Sequence, residues 1–225
     1  SSSEVSHIAS EASVRGLLDD YFCTSETWSV KKSADQVLTA SNSWLHSQSQ
    51  KSEHRFDKNK GYVCTLSAMI IKSTTAYIFH LGDSRIYRLR KGELTQLTDD
   101  HRTWVSSEKS YLSRAMGIYS HLDYDYQSLV IEQGDIFIFA TDGVYEHVSS
   151  DFMIAAVSDE LIDINDAAKI LVDTAYKLGS TDNLTAQVVR IDSVPSQDIN
   201  ERVQQLTALP FPPILDVRAN FDGFK

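Results

Sequence analysis

Cysteine and long apolar runs are scarce in this sequence, and each shortage excludes a class of protein. The 225 residues include two cysteines, Cys23 and Cys64, without the paired Cys or His spacing of a zinc site. Both have apolar neighbours, which favours buried free thiols over a disulfide. No run approaches the roughly 20 apolar residues of a transmembrane helix, and the N-terminus "SSSEVSHIAS" lacks the layout of a signal peptide. These absences predict a cytoplasmic protein.

Positive charge is also in short supply. The chain has 21 Lys and Arg residues against 31 Asp and Glu residues, a formal net charge of −10. Nucleic acids and anionic membranes attract basic surfaces, so we expect neither as a partner. An apolar content of 42% is sufficient for a sizeable core. The length predicts one large domain, or one and a half.

The order of the predicted elements favours an α+β fold. Two segments with apolar residues at helical spacing, 2–22 and 33–50, come first, and strand-like segments crowd together over residues 61–98. Residues 99–118 are mixed and are predicted to be helical or looped. Next come a further predicted strand and then the apolar segment that ends at Thr141. Two helical patterns and a last strand complete the order. Because strands and helices come in blocks, antiparallel sheets are favoured over a Rossmann-like alternation.

The sequence changes character after Asp192. A short helix is predicted next, and residues 207–225 contain three of the four prolines without any clear period. We therefore expect a domain over residues 1–192, followed by a C-terminal helix and a proline-containing linker over residues 193–225.

Three aspartates occupy short turns beside predicted strands. Asp83 lies in "HLGDSR", Asp142 in "FATDGV" and Asp182 in "STDNLT". An ionised carboxylate near a core is costly unless it is paired, hydrogen-bonded or bound to a cation. Hard divalent cations such as Mg²⁺ prefer carboxylate oxygens. The turns therefore predict one acidic metal site. Spacing alone does not exclude the alternative that each aspartate belongs to an ordinary turn or helix cap.

Four longer motifs contain these turns and occur in a distinctive order. They are "HLGDSRIYRLRKGELTQLTDDH" (80–101), "LSRAMG" (112–117), "EQGDIFIFATDGVYEHV" (132–148) and "GSTDNLTAQVV" (179–189). In this order they resemble the protein phosphatase 2C family, the metal-dependent Ser/Thr phosphatases, over about residues 1–192. The resemblance implies an α+β sandwich of two antiparallel β-sheets flanked by helices.

The resemblance also implies a reaction and a set of site residues. The family hydrolyses phosphoserine and phosphothreonine with water activated by two Mn²⁺ or Mg²⁺ ions, without a phosphoenzyme. Asp142 and Asp182 match family metal ligands and are the implied catalytic residues. Asp83 matches an aspartate that helps Asp142 hold a third, weaker ion in some members, and Gly143 belongs to the same predicted metal turn. For Asp83 a structural role remains open.

Residues beside these turns are expected to be structural. Arg85 is predicted to pair with a carboxylate, and Asn183 is predicted to orient its own turn. Asp100 and His101 match a family segment without an assigned chemistry.

One family motif is absent from the sequence. The Asp-Gly-x-Gly-Gly turn, whose aspartate and carbonyl bridge both metals in the family, is expected just before the first helix, whereas this sequence begins at Ser1, directly at the predicted helix. We favour a sequence that is incomplete at its N-terminus and lacks the first strands. The alternatives are an inactive pseudophosphatase that acts as a binding or regulatory module, and a structural calcium- or magnesium-binding domain. The C-terminal linker resembles that of bacterial phosphatase–kinase fusions, so a phosphoprotein substrate and a fused or cognate Ser/Thr kinase are the expected partners.

Overall fold

Helices and antiparallel strands make up the described part of the protein. The computed structural model describes residues 5–53, 55–56, 60–106, 109–159 and 162–195. The helices are α1 (Ser6–Asp20), which runs into a 3₁₀ turn (Tyr21–Cys23), α2 (Val30–Lys51), α3 (Asp142–Tyr145), α4 (Ser150–Ser158) and α5 (Ile164–Lys177). The strands are β1 (Leu66–Lys72), β2 (Thr75–Leu81), β3 (Arg85–Arg90), β4 (Glu93–Gln96), β5 (Arg102–Ser106), β6 (Lys109–Leu112), β7 (Asp125–Val130), β8 (Ile136–Ala140) and β9 (Ala186–Arg190).

The strands form two main sheets and a separate hairpin. The first sheet has the order β1-β2-β7, the second has the order β4-β3-β8-β9, and β5 pairs with β6. Every pairing among these strands is antiparallel. The turn between β3 and β4 is made by Lys91 and Gly92, both at positive φ, as the tight two-residue turns of β-hairpins require.

Helices cover the outer face of each sheet. Against the first sheet, the buried cluster consists of Ala9, Val30, Ala34, Leu38 and Leu45 of α1 and α2 with Leu66, Phe79 and Leu81. Against the second sheet, α4 and α5 bury Met153, Ala156, Val157, Ala167, Leu171 and Ala175 on Leu89, Ile136 and Ile138. In α5 the buried positions recur every four residues, which gives the helix one apolar face.

A third layer of apolar side chains lies between the sheets. Successive residues of a strand point to opposite faces, so Ile78, Ile86 and Phe137 point away from the helix-covered faces. All three side chains are fully buried. The two sheets therefore pack face to face with helices outside. This arrangement confirms the expected α+β sandwich of antiparallel sheets.

Helix starts are fixed by side chains that the sequence supplies locally. The hydroxyl of Ser29 accepts a hydrogen bond from the Lys32 N–H at the start of α2, and Ser149 does the same for Phe152 at the start of α4. The carboxylate of Asp163 accepts from the Asn165 N–H at the start of α5. Each bond satisfies a backbone donor that the helix itself leaves unpaired.

Two sequence-based predictions are wrong. Within residues 99–118 the structure has the hairpin β5–β6 where helix or loop was expected. Cys64 is a buried free thiol as expected, but Cys23 is free and exposed, because it lies in the 3₁₀ turn after α1, none of whose residues is buried.

The predicted C-terminal segment falls largely outside the described residues. The chain divides into a compact unit over Ser1–Ser193 and a second unit over Val194–Lys225, and residues 196–225, with the predicted short helix and linker, lie outside the described part. The domain boundary at residue 192 stays a prediction. Within the described ranges, no helix combines the length and the apolar character needed to cross a membrane.

Candidate functional site

Asp83 and Asp142 are brought together by the pairing of β3 with β8. Asp83 lies in the turn that joins β2 to β3, and Asp142 follows the end of β8 as the first residue of α3. Because the strands are antiparallel, Arg85 at the start of β3 is opposite Ala140 at the end of β8. Both aspartates therefore lie at the same end of this strand pair.

A third residue, Arg102, joins the two aspartates. Its Nε donates a hydrogen bond to Oδ2 of Asp83 at 2.6 Å, and its Nη2 donates to Oδ2 of Asp142 at 2.5 Å. Its Nη1 reaches Oε1 of Glu146 at 3.2 Å. The Arg102, Asp83 and Asp142 side chains are 17%, 14% and 27% exposed. Charge-assisted bonds shielded from water in this way are stronger than ordinary hydrogen bonds.

Asp182 is placed beside Asp142 by contacts between their turns. The Thr141 hydroxyl donates to the Asn183 carbonyl at 3.1 Å and accepts from the Thr185 N–H at 3.1 Å. A Cβ added to Gly143 would lie 2.8 Å from the Asn183 carbonyl oxygen and 3.2 Å from Cβ of Asp182. Glycine therefore permits the two turns to approach this closely.

Each of these two carboxylates is oriented by the residue that follows it. Oδ1 of Asp142 accepts from the Gly143 N–H at 2.9 Å, and Oδ1 of Asp182 accepts from the Asn183 N–H at 2.7 Å. Asn183 thus orients its own turn, as the sequence predicts, through its backbone.

The site has more negative charge than its neighbours neutralise. Burial raises the pKa of Asp142, and the charges of Asp83 and Asp182 raise it further, against the lowering effect of the Gly143 N–H and of Arg102. Burial alone would lower the pKa of Arg102, but the hydrogen bond to Asp83 and the surrounding negative charges raise it above its ordinary value. The carboxylates therefore hold the arginine strongly, and Asp142 still experiences repulsion.

Two buried histidines, His80 and His101, hold the backbone of the Asp83 turn through hydrogen bonds to Gly82. The Gly82 N–H donates to Nδ1 of His101 at 3.1 Å, which leaves the ring proton on Nε2, and that atom donates to Oδ2 of Asp125 at 2.9 Å. His80 donates through Nε2 to the carbonyls of Gly82, at 3.1 Å, and of Asp99, at 3.0 Å. His101, to which the sequence assigned no chemistry, is therefore a residue that positions the turn.

Arg85 and Tyr145 complete the support. Arg85 pairs with both carboxylate oxygens of Asp100, at 2.9 and 2.8 Å, which confirms its predicted structural role. Its guanidinium lies 3.7 Å from the ring centroid of Tyr145. The Tyr145 hydroxyl donates to the Asp83 carbonyl at 2.8 Å, so this residue ties α3 to the Asp83 turn.

The donor chemistry of the site suits a hard divalent cation, but a positive side chain already contacts the donor oxygens. The oxygens of Asp83 and Asp142 converge on a single positive group, and oxygen-only donors are what Mg²⁺ and Mn²⁺ prefer. That positive group, however, is Arg102. Across the described parts of the chain, no three His, Cys, Asp or Glu side chains are arranged to hold a metal ion.

The four residues predicted from sequence thus lie in adjoining turns at one end of the second sheet. Their assignment as ligands stays a prediction. Arg102 was not predicted from the sequence, because its only signal is that it directly follows His101, the last residue of the first motif. No sequence pattern indicates that it reaches Asp142, which is 40 residues away along the chain.

Comparisons with known proteins match this picture. A family model described as protein phosphatase 2C matches residues 1–181. The serine/threonine phosphatase stp of Listeria monocytogenes is 29% identical over 210 residues, which cover 82% of this chain and 79% of that protein.

Solved structures show the same fold. The Mycobacterium tuberculosis serine/threonine phosphatase PstP/Ppp aligns with a TM-score of 0.71 at 22% identity, covering 83% of each chain. The catalytic domain of the phosphatase PstP in complex with two manganese ions aligns with a TM-score of 0.67 at 23% identity, covering 81% of each chain. The resemblance carried by the four sequence motifs is confirmed, and the chain belongs to the protein phosphatase 2C family.

Proposed function

We propose that the protein is a metal-dependent phosphatase that hydrolyses phosphoserine and phosphothreonine in proteins. The observation that carries this proposal is the convergence of three aspartate turns on one end of a sheet, with negative charge in excess of the nearby positive charge. Such an excess is costly in a folded protein unless a cation occupies the site in its working state. Family membership and the manganese complex of a related phosphatase support the same reading.

The proposed roles follow from how each carboxylate is held. Asp142 and Asp182 would hold two Mn²⁺ or Mg²⁺ ions, and Asp83 would help Asp142 with a third, weaker ion. Bound ions would lower the pKa of a water molecule and offset charge on the phosphoryl oxygens. The Gly143 and Asn183 N–H groups hold one oxygen of Asp142 and Asp182 respectively, which orients the other oxygen of each carboxylate.

The test is release of phosphate from a phosphothreonine peptide by the 225-residue chain, with and without Mn²⁺. We expect Mn²⁺-dependent release that falls at least about 100-fold in Asp142→Asn and Asp182→Asn, because even outer partners of metal ligands account for 10–100-fold. Asp192→Asn is the matched control, since Asp192 is an exposed aspartate paired with Arg190. Release that persists in both site variants would contradict the assignment of these ligands.

A second candidate is a pseudophosphatase that binds phosphoproteins without turnover. It is favoured by one observation, namely that Arg102 occupies the carboxylates of Asp83 and Asp142. Fluorescence anisotropy with the same labelled peptide discriminates the two functions. Binding without phosphate release at any Mn²⁺ concentration indicates the pseudophosphatase, whereas turnover indicates the enzyme.

We infer a phosphoprotein as the substrate because related proteins are named as a protein phosphatase and a serine/threonine phosphatase. A fused or cognate kinase, a signalling role in a bacterial cytoplasm, and the absence of nucleic acid and membrane contacts stay predictions from the sequence.

A further inference from the structure

Arg102 uses its whole guanidinium on the acidic site. Its three nitrogens donate to three different carboxylates, those of Asp83, Asp142 and Glu146. We infer that Arg102 is a built-in counterion of this site, which competes with divalent cations for Asp83 and Asp142. The inference rests on the proposed function only in taking these aspartates as the cation-binding residues.

Competition follows from which oxygen atoms are free. Oδ1 of Asp142 already accepts the Gly143 N–H, and Oδ2 is the atom bound by Arg102 at 2.5 Å. Oδ2 of Asp83 is also bound by Arg102. A metal ion that uses these two Oδ2 atoms therefore meets a guanidinium that carries the same sign of charge, and the two cations compete for the same oxygens.

Glu146 provides a place for the displaced side chain. The contact between Arg102 and Glu146 is the longest of the three, at 3.2 Å, and the Glu146 carboxylate is half-exposed. The guanidinium is thus able to leave the two aspartates and keep one carboxylate partner near water. Since Arg102 begins β5, its position couples the acidic site to the hairpin β5–β6.

The expected consequence is a reduced affinity for metal. If the arginine occupies the aspartates in most molecules, the apparent dissociation constant rises by the ratio of occupied to open forms. We expect Arg102→Gln to bind Mn²⁺ at least about tenfold more tightly, a change of about 1.4 kcal/mol. The same variant should melt at a lower temperature in EDTA, because the carboxylates then repel one another, and should gain more from added Mn²⁺.

The experiment measures Mn²⁺ binding to the 225-residue chain by isothermal titration calorimetry and by electron paramagnetic resonance of free Mn²⁺. Arg190→Gln is the matched control, because it removes one positive charge from an exposed Arg–Asp pair outside the site. Arg102→Lys is the second variant. It keeps the charge, but one ammonium replaces the planar fork that bridges both aspartates, so we expect a smaller gain in affinity than with Gln.

The outcomes separate this inference from the proposed function. Tighter Mn²⁺ binding in Arg102→Gln, with binding in Arg190→Gln unchanged, supports the inference. If Arg102→Gln does not fold, tighter binding in Arg102→Lys supports it instead. Equal or weaker binding in the Arg102 variants, beside measurable binding in the unmodified chain, overturns the inference and leaves the proposed function standing. No binding in any variant at millimolar Mn²⁺ overturns the inference together with the proposed metal site.

Discussion

The two ends of the β3–β8 strand pair each carry an arginine–aspartate cluster, and the clusters differ in their balance of charge. At one end Arg90 donates to both oxygens of Asp135, at 2.6 Å each, and the Glu132 N–H donates to Asp135 at 2.8 Å. Arg90 and Lys91 also contact the Glu132 carboxylate. Two positive groups thus face two carboxylates.

At the other end, beside the balanced pair of Arg85 with Asp100, the single guanidinium of Arg102 faces three carboxylates, with Asp182 beside them. The pKa values differ accordingly. Burial tends to raise the pKa of Asp135, but the bonds from Arg90 and the Glu132 N–H lower it below its ordinary value, whereas burial and like charges raise the pKa of Asp142. A balanced cluster stabilises the folded chain, while an unbalanced one leaves negative charge for a cation to neutralise.

Breaking the balanced cluster should have the largest effect on stability. Asp135 is 1% exposed, and Asp135→Ala leaves the Glu132 N–H and two Arg90 nitrogens without this acceptor. We expect a loss of about 3 kcal/mol in the free energy of unfolding, measured by urea denaturation. Asp192→Ala, at an exposed pair, is the control and should be close to unchanged. A loss in Asp135→Ala no larger than in this control would contradict the stabilising role.

The same cluster gives the expected pH dependence. The pKa of Asp135 is lowered in the folded protein below its ordinary value of 3.8, so the folded state favours the ionised form. The stabilisation is therefore present above about pH 4 and is lost as the pH falls through the folded pKa. Urea denaturation from pH 6 to pH 2.5 should show a steeper loss in the unmodified chain than in Asp135→Ala. Parallel curves would rule out this linkage.

A glycine lies beside one aspartate of each cluster, Gly134 before Asp135 and Gly143 after Asp142. The two glycines are required for different reasons, which sharpens the comparison between the clusters. Gly134 has φ +88° and open space around the position of a Cβ, so Gly134→Ala adds only conformational strain, about 1–2 kcal/mol. A Cβ at Gly143 instead meets the Asn183 carbonyl oxygen at 2.8 Å.

We expect Gly143→Ala to reduce stability by about 1–3 kcal/mol and to part the Asp142 and Asp182 turns. Mn²⁺ should then raise the melting temperature of Gly143→Ala less than that of Gly134→Ala, which differential scanning fluorimetry measures. Equal shifts from Mn²⁺ in the two variants would show that the spacing of these turns does not matter for the cation.

The comparison also shows which parts were predictable from the sequence. β8 and the turn after it were predictable because five apolar residues between turn residues leave few alternatives to a buried strand. The antiparallel arrangement followed from the grouping of elements. That Asp83, Asp142 and Asp182 lie in one place was first a hypothesis from their shared turn context, with three separate turns as the alternative. The family resemblance then favoured one site, since local patterns contain no information about which turns meet.

Contacts across long stretches of chain were not predictable. Arg90 and Asp135 are 45 residues apart, and Arg102 and Asp142 are 40 apart. Arg102 lies in a segment whose mixed composition gave neither a helical nor an alternating period, and the hairpin there was missed. Its strand pairing depends on tertiary context, which overrides weak local preference.

The smallest expected effect concerns Tyr145, which fixes the Asp83 turn. Tyr145→Phe removes the hydroxyl that donates to the Asp83 carbonyl at 2.8 Å, but keeps the ring that lies against the Arg85 guanidinium. We expect a loss of about 1 kcal/mol, the usual net value of one hydrogen bond, beside an unchanged control in Tyr176→Phe, where the side chain is exposed.

Because the cation–π contact survives in Tyr145→Phe, the loss isolates the hydrogen bond. If stability instead matches the control, the Tyr145 bond does not contribute, and within the Asp83 turn the backbone is positioned by the bonds of Gly82 to His80 and His101. In that case α3 and the Asp83 turn are joined chiefly through Arg102. Displacement of Arg102 by a cation would then loosen the connection between α3 and the Asp83 turn. If Tyr145→Phe does lose stability, the Tyr145 bond keeps α3 and the Asp83 turn together even when Arg102 is displaced.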